Sequence, residues 1–365
     1  MPDPFLSLRA VDAWQGGVQT LRAVSLDVAH GEFLTLLGPA GAGKTSLLRL
    51  LAGERRKAAG GILCEGEDLD RRPADRRGFA LVAAEDALLR RLDVRDNLAL
   101  APALRRMPVA ARRHAVDRVL DLLRLGEVAT HVPAGLSAAD QFRIMLGRAL
   151  LGEPRLLLLD DPLHGLDPGE REDALVDLRR VHDWSGVTTL LATREPAAAL
   201  SLSHRVAVLR QGRLEQVAAP AALYEDPASG FVARCTGDIN LLPGTLGAVE
   251  DDLAPVRLDC GLAVEARPAE GLREGDRVVV CVRPERIAHA PVSAAELGGN
   301  ALPATLIDMA YRGDHVRLRL LIGSGVELLV KRPAAAGLAG LAPGRSGAVA
   351  WQPHHALAVA LNETG

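Results

Sequence analysis

A glycine-rich segment between an apolar run and a helix-like run constrains this chain more than any other feature. The segment fits the pattern G-x-x-x-x-G-K-[ST] and consists of Gly38, Pro39, Ala40, Gly41, Ala42, Gly43, Lys44 and Thr45, with Ser46 next. Small residues let backbone N–H groups surround phosphate oxygens, and the start of the following helix favours an anion. We therefore predict that Lys44 lies near the β- and γ-phosphates of a nucleotide and that the Thr45 hydroxyl faces Mg²⁺.

The same segment could instead form a turn without a ligand. Composition argues against this alternative, because arginine replaces lysine almost everywhere in the chain. Of 43 basic residues only three are lysines, namely Lys44, Lys57 and Lys331. A compact ammonium group suits a crowded phosphate site better than a guanidinium group, so the lysine kept in this loop favours function.

A second motif supplies carboxylates. Residues 156–159 are all leucine, and Asp160 and Asp161 follow them directly. A carboxylate at the tip of a buried strand holds magnesium in many phosphoryl-transfer enzymes, so we assign that role to Asp160. A solvated strand end is the alternative, which the phosphate loop upstream disfavours.

The apolar pattern predicts an α/β fold with a largely parallel sheet for the first two thirds of the chain. Helix-like segments alternate there with short apolar runs typical of buried strands, at residues 33–37, 155–159, 187–192 and 205–209. The strand signal fades over about residues 86–150, which predicts an inserted helical subdomain. We expect this first domain to cover residues 1–236.

The last third of the chain has a different pattern. Short apolar segments recur there between Gly, Pro and Asp turns. This spacing predicts a small all-β domain, a barrel or a sandwich, over residues 237–365.

Composition and charge disfavour several classes of protein. The formal net charge of −3 argues against a nucleic-acid partner, which usually needs a basic face. The four cysteines lack ligand-like spacing, so we expect reduced thiols in a cytoplasmic protein. No run of about eighteen apolar residues occurs, and the first residues lack a signal-peptide pattern. We therefore expect any membrane role to depend on a partner.

With these residues in place, the chain resembles the ATP-binding subunits of ABC transporters, which are P-loop NTPases. The family signature LSGGQ corresponds to the segment between the two motifs that reads Leu136, Ser137, Ala138, Ala139 and Asp140. Trp14 falls where the family places an aromatic residue that stacks on adenine; a core position is the alternative reading. The last third resembles the OB-like TOBE extension of importers, and residues 237–244 and 282–287 are similar to segments of spermidine/putrescine importers. Importers of iron, sulfate or sugar phosphates have related extensions.

This resemblance implies an ATP-binding subunit of an importer that uses ATP and Mg²⁺ at the inner face of the cell membrane. Such subunits form head-to-tail dimers, here a homodimer or a heterodimer with a paralogous ATPase. Each ATP then lies between one phosphate loop and the signature segment of the other subunit. The implied partners are membrane permease subunits, which would face residues 86–100, and indirectly a periplasmic or extracellular solute-binding protein.

Four elements depart from the family pattern. Ala84 replaces the glutamine that contacts magnesium and water, and Ala138, Ala139 and Asp140 replace the last three signature residues. Asp161 replaces the catalytic glutamate and is one methylene shorter, and a misplacement of about 1 Å can cost roughly 100-fold in rate. Arg194 replaces the switch histidine and cannot accept a hydrogen bond.

These departures lead us to expect ATP binding with slow hydrolysis. Two alternatives stay open, namely an ordinary importer ATPase that tolerates the changes and a nucleotide-binding regulator without turnover. A soluble ABC protein that acts on DNA or ribosomes is disfavoured by the net charge of −3.

Overall fold

The structure, a computed structural model, describes residues 3–83, 88–296, 300–336 and 341–361. Its contacts divide the chain into two compact units, Met1–Ala222 and Leu223–Gly365. This division lies before the predicted boundary at 236/237, because residues between the two boundaries are bound within the second unit. The buried Arg283 donates hydrogen bonds to the Ala233 carbonyl at 3.0 Å and to the Thr236 hydroxyl at 2.8 Å.

The first unit alternates strands with helices. Its strands are β1 (Leu6–Gln15), β2 (Val18–Val28), β3 (Phe33–Leu37), β4 (Ala59–Cys64), β5 (Glu67–Asp68), β6 (Phe79–Ala83), β7 (Leu156–Asp160), β8 (Thr188–Thr193), β9 (Arg205–Arg210) and β10 (Arg213–Ala218). Its helices are α1 (Lys44–Ala52), α2 (Val94–Leu104), α3 (Val109–Leu122), α4 (Ala138–Leu150), α5 (Pro168–Ser185) and α6 (Pro196–Leu202).

Six of these strands form the main sheet in the order β10-β9-β3-β8-β7-β6. All neighbours pair in parallel except β9 and β10, so the predicted, largely parallel sheet is confirmed. Every residue of β3, β7 and β8 is buried, as expected for parallel strands covered on both faces. The bounds of β3 agree with the prediction, and those of β7, β8 and β9 lie within one residue of it.

The first unit also contains a second sheet and a group of three helices. Strands β2-β1-β4-β5 form this second sheet, which is antiparallel. Helices α2, α3 and α4 lie between β6 and β7, within the predicted helical subdomain. They pack closely, since a Cβ atom added at Gly147 of α4 would lie 2.8 Å from side-chain atoms of Leu98 and Val119.

The second unit is a β domain. The short helix α7 (Pro220–Glu225) spans the division between the units and α8 (Gly230–Cys235) follows it. The strands are β11 (Asn240–Leu246), β12 (Ala254–Leu258), β13 (Ala263–Pro268), β14 (Arg277–Val282), β15 (Ala288–Ala290), β16 (Asn300–Tyr311), β17 (His315–Ile322), β18 (Val326–Pro333), β19 (Ser346–Trp351) and β20 (Ala356–Ala360).

A closed barrel is formed by β11-β12-β13-β20-β14, and β15-β19-β16-β17-β18 form an antiparallel sheet. The barrel and the sheet share one buried apolar cluster, which includes Val256, Val280, Leu318 and Leu320. The prediction of a small all-β domain is therefore confirmed. Among the described residues of the whole chain, no helix is both long and apolar enough to cross a membrane.

Candidate nucleotide-binding site

The topology of the main sheet brings the predicted motifs to one edge. Strand β8 lies between β3 and β7, and all three run in the same direction. Their carboxyl ends therefore meet at one edge of the sheet, where open α/β folds bind ligands. The glycine-rich loop follows β3, Asp160 ends β7, and Arg194 directly follows β8.

The glycine-rich loop needs glycine at both of its ends. Gly43 has a φ of 106°, and a Cβ atom there would lie 2.5 Å from the carbonyl oxygen of Thr20. A Cβ atom at Gly38 would lie 2.3 Å from the carbonyl oxygen of Leu209. Any side chain at these two positions would collide with backbone atoms, so the loop can adopt this conformation only with glycine there.

Helix α1 begins at Lys44, directly after the loop. The Lys44 side chain is buried, and its Nζ donates to the carbonyl oxygens of Gly38 at 2.6 Å and Pro39 at 2.9 Å. The ammonium group therefore lies across the loop. Together with the first N–H groups of the helix, it makes this end of α1 attractive to a phosphate group.

The residues predicted to hold magnesium are in contact. Thr45 Oγ1 donates a hydrogen bond to Asp160 Oδ1 at 2.8 Å, and the Asp160 side chain is largely buried. A hydroxyl and a carboxylate oxygen are hard ligands, and Mg²⁺ in nucleotide sites is held by few protein oxygens together with substrate phosphates. The oxygen ligands present thus fit a magnesium–nucleotide complex.

A cavity of about 380 Å³ lies over the loop. It is lined by Gln15, Thr20, Ala40, Gly41, Ala42, Gly43, Lys44, Thr45, Ser46, Asp160, Asp161 and Arg194. Most of the predicted phosphate, metal and catalytic residues therefore share one cavity. Gln15 and Thr20 come from the β1–β2 hairpin and were not foreseen, because neither belongs to a motif.

Asp161 has a strained backbone. Its φ is 47°, a left-handed conformation that a residue other than glycine adopts at a cost of about 1–3 kcal/mol. The Asp161 N–H donates to the Ala192 carbonyl at 2.8 Å, and its own carbonyl accepts from the His164 N–H at 3.1 Å. These two bonds hold the turn on both sides.

The side chain of Asp161 is paired with a cation. Arg194 Nε donates to Asp161 Oδ2 at 3.3 Å, and Arg194 Nη2 lies 3.1 Å from His164 Nδ1. Because a guanidinium group only donates, this contact is a hydrogen bond in the tautomer whose Nδ1 accepts and whose ring proton is on Nε2. The sequence reasoning did not foresee His164 as a site residue. The catalytic roles assigned to Asp161 and Arg194 stay predictions.

The signature segment begins helix α4 and lies outside the residues that line the cavity. Ser137 caps the helix, its hydroxyl accepting from the Asp140 N–H at 3.1 Å. Ala138 and Ala139 form the first turn, so their N–H groups stay available as helix-terminal donors. This chain alone does not bring the segment to its own phosphate loop. Contact with the nucleotide of a second subunit stays a prediction.

The carboxylate of Asp140 is already paired. Arg143 donates to Asp140 Oδ1 at 2.9 Å and to Oδ2 of the fully buried Asp177 on α5 at 2.6 Å. Burial alone would lower the pKa of Arg143, but its bonds to the two carboxylates raise that pKa. Arg143 thus offsets much of the negative charge that Asp140 adds to the signature segment.

Two further predicted residues lie apart from this geometry. Trp14 is 56% exposed near the end of β1, next to the cavity residue Gln15, and does not itself line the cavity. Stacking on adenine therefore stays a prediction. Ala84 lies outside the described residues.

Comparisons with known proteins agree with the motifs. The profile of the ABC transporter family matches residues 21–164, and the profile of the TOBE domain matches residues 280–359. The TOBE match lies within the second unit.

Several curated relatives match most of the chain. The spermidine/putrescine import ATP-binding protein PotA of Rubrobacter xylanophilus is 35% identical over 94% of this chain and 90% of its own. A protein of that name from Frankia alni is 37% identical over 93% of this chain and 75% of its own. PotA 1 of Pseudomonas aeruginosa is 36% identical over 90% of each.

Solved structures show the same fold in the cassette. The cbiO1 protein of Clostridium perfringens, part of the ABC transporter complex cbiONQ, aligns with a TM-score of 0.58 and 22% identity. It covers 64% of this chain and 94% of its own. A dimeric ATP-binding cassette in a post-hydrolysis state with ADP and Pi aligns with a TM-score of 0.52 and 23% identity, covering 59% of this chain and 98% of its own. From its motifs, its fold and these relatives, the chain belongs to the ABC transporter family, as an ATP-binding protein with a TOBE domain.

Proposed function

We propose that this chain is the ATP-binding subunit of a polyamine importer and that it binds Mg²⁺-ATP firmly but hydrolyses it slowly. One observation carries the nucleotide site. The Thr45 hydroxyl and the Asp160 carboxylate touch at 2.8 Å beside the buried Lys44, inside a cavity of about 380 Å³. A cation, a hydroxyl and a carboxylate at the start of a helix are the groups that a magnesium-bound triphosphate needs.

Each residue has a distinct task in this proposal. Lys44 and the loop N–H groups bind the phosphates, and Thr45 and Asp160 would hold Mg²⁺, which would neutralise charge on the phosphate oxygens. Asp161 orients the attacking water and accepts its proton. Arg194 follows β8, between the phosphate loop and Asp160, where its guanidinium group can donate to the γ-phosphate.

Slow hydrolysis follows from the state of Asp161. Its carboxylate is one methylene shorter than glutamate and accepts a hydrogen bond from Arg194 at 3.3 Å. That hydrogen bond occupies one of the two carboxylate oxygens that could accept a proton from the attacking water. Both features lower the rate of proton transfer from water without weakening nucleotide binding.

Polyamine import is supported by relatives at 35–37% identity that are named spermidine/putrescine import ATP-binding proteins. In this proposal the chain works as a dimer, either with a second copy or with a paralogous ATPase, at the cytoplasmic face of the membrane. It drives permease subunits and thereby serves a periplasmic or extracellular solute-binding protein.

A groove in the helical subdomain supports the permease partner. It lies between α2 and α3, has a volume of about 380 Å³, and is lined by apolar side chains together with three arginines and one aspartate. The lining residues include Leu100, Ala103, Val116, Arg112 and Arg113. A concave apolar surface of this kind suits a short amphipathic helix of a partner.

Nucleotide binding is tested by calorimetric titration of the purified chain with Mg²⁺ and a β,γ-imido analogue of ATP. Lys44→Ala should lower the affinity by at least about 10-fold, since one charge-assisted hydrogen bond is worth roughly 1.5–3 kcal/mol. Lys331→Ala is the matched control, because Lys331 pairs with Asp238 in the second unit. Equal affinities for the wild type and Lys44→Ala would refute the nucleotide site.

Slow hydrolysis is tested by steady-state ATPase measurements on the wild type and on the double variant Asp161→Glu, Arg194→His. We expect the double variant to turn over faster by roughly 10- to 100-fold, as a longer carboxylate regains its reach. A wild-type rate of about 1 s⁻¹ or more, with no gain in the variant, would contradict this part of the proposal. Uptake of labelled spermidine by cells with and without the chain tests the transported solute.

A regulator without turnover is the second candidate, and the Arg194–Asp161 ion pair favours it. Firm ATP binding with no hydrolysis in either protein and no copurifying permease would support this candidate over the importer.

A further inference from the structure

We propose that His164 is a positioning residue of the nucleotide site, which holds Arg194 in place for the γ-phosphate and so makes the site prefer ATP to ADP. This inference rests on the proposed function, because it concerns the same cavity. It concerns a contact, His164 to Arg194, that joins two segments thirty residues apart in the chain.

The turn after β7 places His164 beside the cavity. Its N–H donates to the Asp161 carbonyl at 3.1 Å, and Gly165, at a φ of 89°, continues the turn. Asp161 in turn is bonded through its N–H to Ala192 at 2.8 Å. The backbone that carries His164 is therefore tied to β8, the strand that ends just before Arg194.

Arg194 is held at two of its nitrogen atoms. Nε donates to Asp161 Oδ2 at 3.3 Å and Nη2 donates to His164 Nδ1 at 3.1 Å. Arg194 is 46% exposed, and these two bonds restrain the position and the plane of its guanidinium group. Its other N–H groups then keep a preferred direction.

The neighbouring acidic residue does not compete for this cation. Glu195 pairs with Arg171 at 3.2 Å, and its own N–H donates to the Thr193 hydroxyl at 3.1 Å. Among the residues that the structure describes, Arg194 is thus bonded to Asp161 and His164, and it lines the cavity together with Lys44 and Thr45.

The position of Arg194 in the sheet explains why this restraint affects nucleotide binding. It follows β8, between the loop after β3 and the carboxylates after β7. In a site of this type the lysine reaches the β- and γ-phosphates and the hydroxyl binds Mg²⁺, so a cation on the carboxylate side lies near the terminal phosphate. Because ADP lacks that phosphate, Arg194 does not strengthen the binding of ADP.

Holding the guanidinium group in advance strengthens the contact with ATP. A free arginine side chain loses much rotamer freedom when it binds a phosphate, and a side chain that is already fixed loses less. His164 is suited to this task since its Nδ1 accepts a hydrogen bond without adding a negative charge that would repel the nucleotide.

The test measures the ratio of affinities for the β,γ-imido analogue of ATP and for ADP by calorimetry, with Mg²⁺, on the full chain. Arg194→Ala should lower this ratio by about 10- to 100-fold, the range for a charge-assisted hydrogen bond. His164→Ala should lower it by about 3- to 10-fold, and His164→Asn, whose Oδ1 can accept the same bond, should restore it to within about 2-fold. His164→Ala should have no further effect in the Arg194→Ala background.

The controls separate this inference from the proposed function. Lys44→Ala should weaken both nucleotides, and Glu172→Ala, on the exposed side of α5, should leave the ratio unchanged. If the wild type binds the ATP analogue and Lys44→Ala weakens it, but His164→Ala leaves the ratio unchanged, the inference is wrong while the proposed function stands. If the wild type binds neither nucleotide, both are wrong.

Discussion

Replacing Arg143 by methionine should destabilise the first unit by about 2–4 kcal/mol, because the change removes the main partner of a fully buried carboxylate. Asp177 is 0% exposed and accepts from Arg143 Nε at 2.6 Å. Breaking one side of a buried ion pair costs roughly 3–5 kcal/mol. Arg180 at 3.3 Å and Arg124 at 3.9 Å also face Asp177, so part of this loss is offset. Methionine keeps the apolar stem, so the loss measures the charge.

The assay is urea denaturation followed by far-ultraviolet circular dichroism. Helices α1 to α6 all belong to the first unit, so the signal follows its unfolding. Arg95→Met is the matched control, because Arg95 and Asp117 form a half-exposed pair whose loss should cost less than about 1 kcal/mol. The double variant Arg143→Met, Asp177→Leu should recover most of the stability, since it buries no charge.

The result that refutes this reasoning is specific. If Arg143→Met loses less than about 1 kcal/mol and no more than Arg95→Met, the carboxylate of Asp177 does not depend on Arg143 for its burial.

Three further changes have distinct signatures. Gly43→Ala should abolish nucleotide binding and cost about 1–3 kcal/mol of stability, because its Cβ would lie 2.5 Å from the Thr20 carbonyl; unchanged nucleotide titration would contradict this. Burial, with a smaller effect of His204, lowers the pKa of His182 below its unfolded value of about 6.5. His182 therefore contributes stability above about pH 6.5, and this stability is lost as the pH falls through the lower folded pKa. Urea denaturation against pH should show that slope in the wild type and a smaller one in His182→Phe. Trp14→Ala should weaken ATP binding by roughly 5- to 100-fold in calorimetry, because stacking on a base is worth about 1–3 kcal/mol. The affinity for inorganic triphosphate should not change.

Local signals made much of the fold predictable. Strand β3 and the loop after it obey short-range rules, as an apolar run and a glycine pattern are visible within about ten residues. Strand β14, Arg277–Val282, is likewise one of the short apolar segments of the last third. The pairing of Asp140 with Arg143 was also within reach, since residues three apart share one face of a helix.

The remaining features depend on tertiary contacts. The bond between His164 and Arg194 requires β7 and β8 to be neighbours and requires a left-handed turn at Asp161, and neither can be inferred from spacing. The division between the two units before residue 223 likewise depends on tertiary contacts. The segment up to residue 236 looks like a continuation of the cassette in sequence, yet its carbonyl and hydroxyl groups are bound by Arg283 from much later in the chain.

The way the barrel closes shows that the five-stranded sheet is an insertion between two paired strands of the barrel. Val282, the last residue of β14, pairs with Ala356, the first residue of β20. The chain thus leaves the barrel and returns to it at adjacent positions, and everything between them builds the sheet. During synthesis the barrel stays open until the whole inserted segment and β20 have left the ribosome. The same geometry means that a change in the sheet can leave the strand pairing of the barrel intact, provided that the sheet still supplies its residues of the shared apolar cluster.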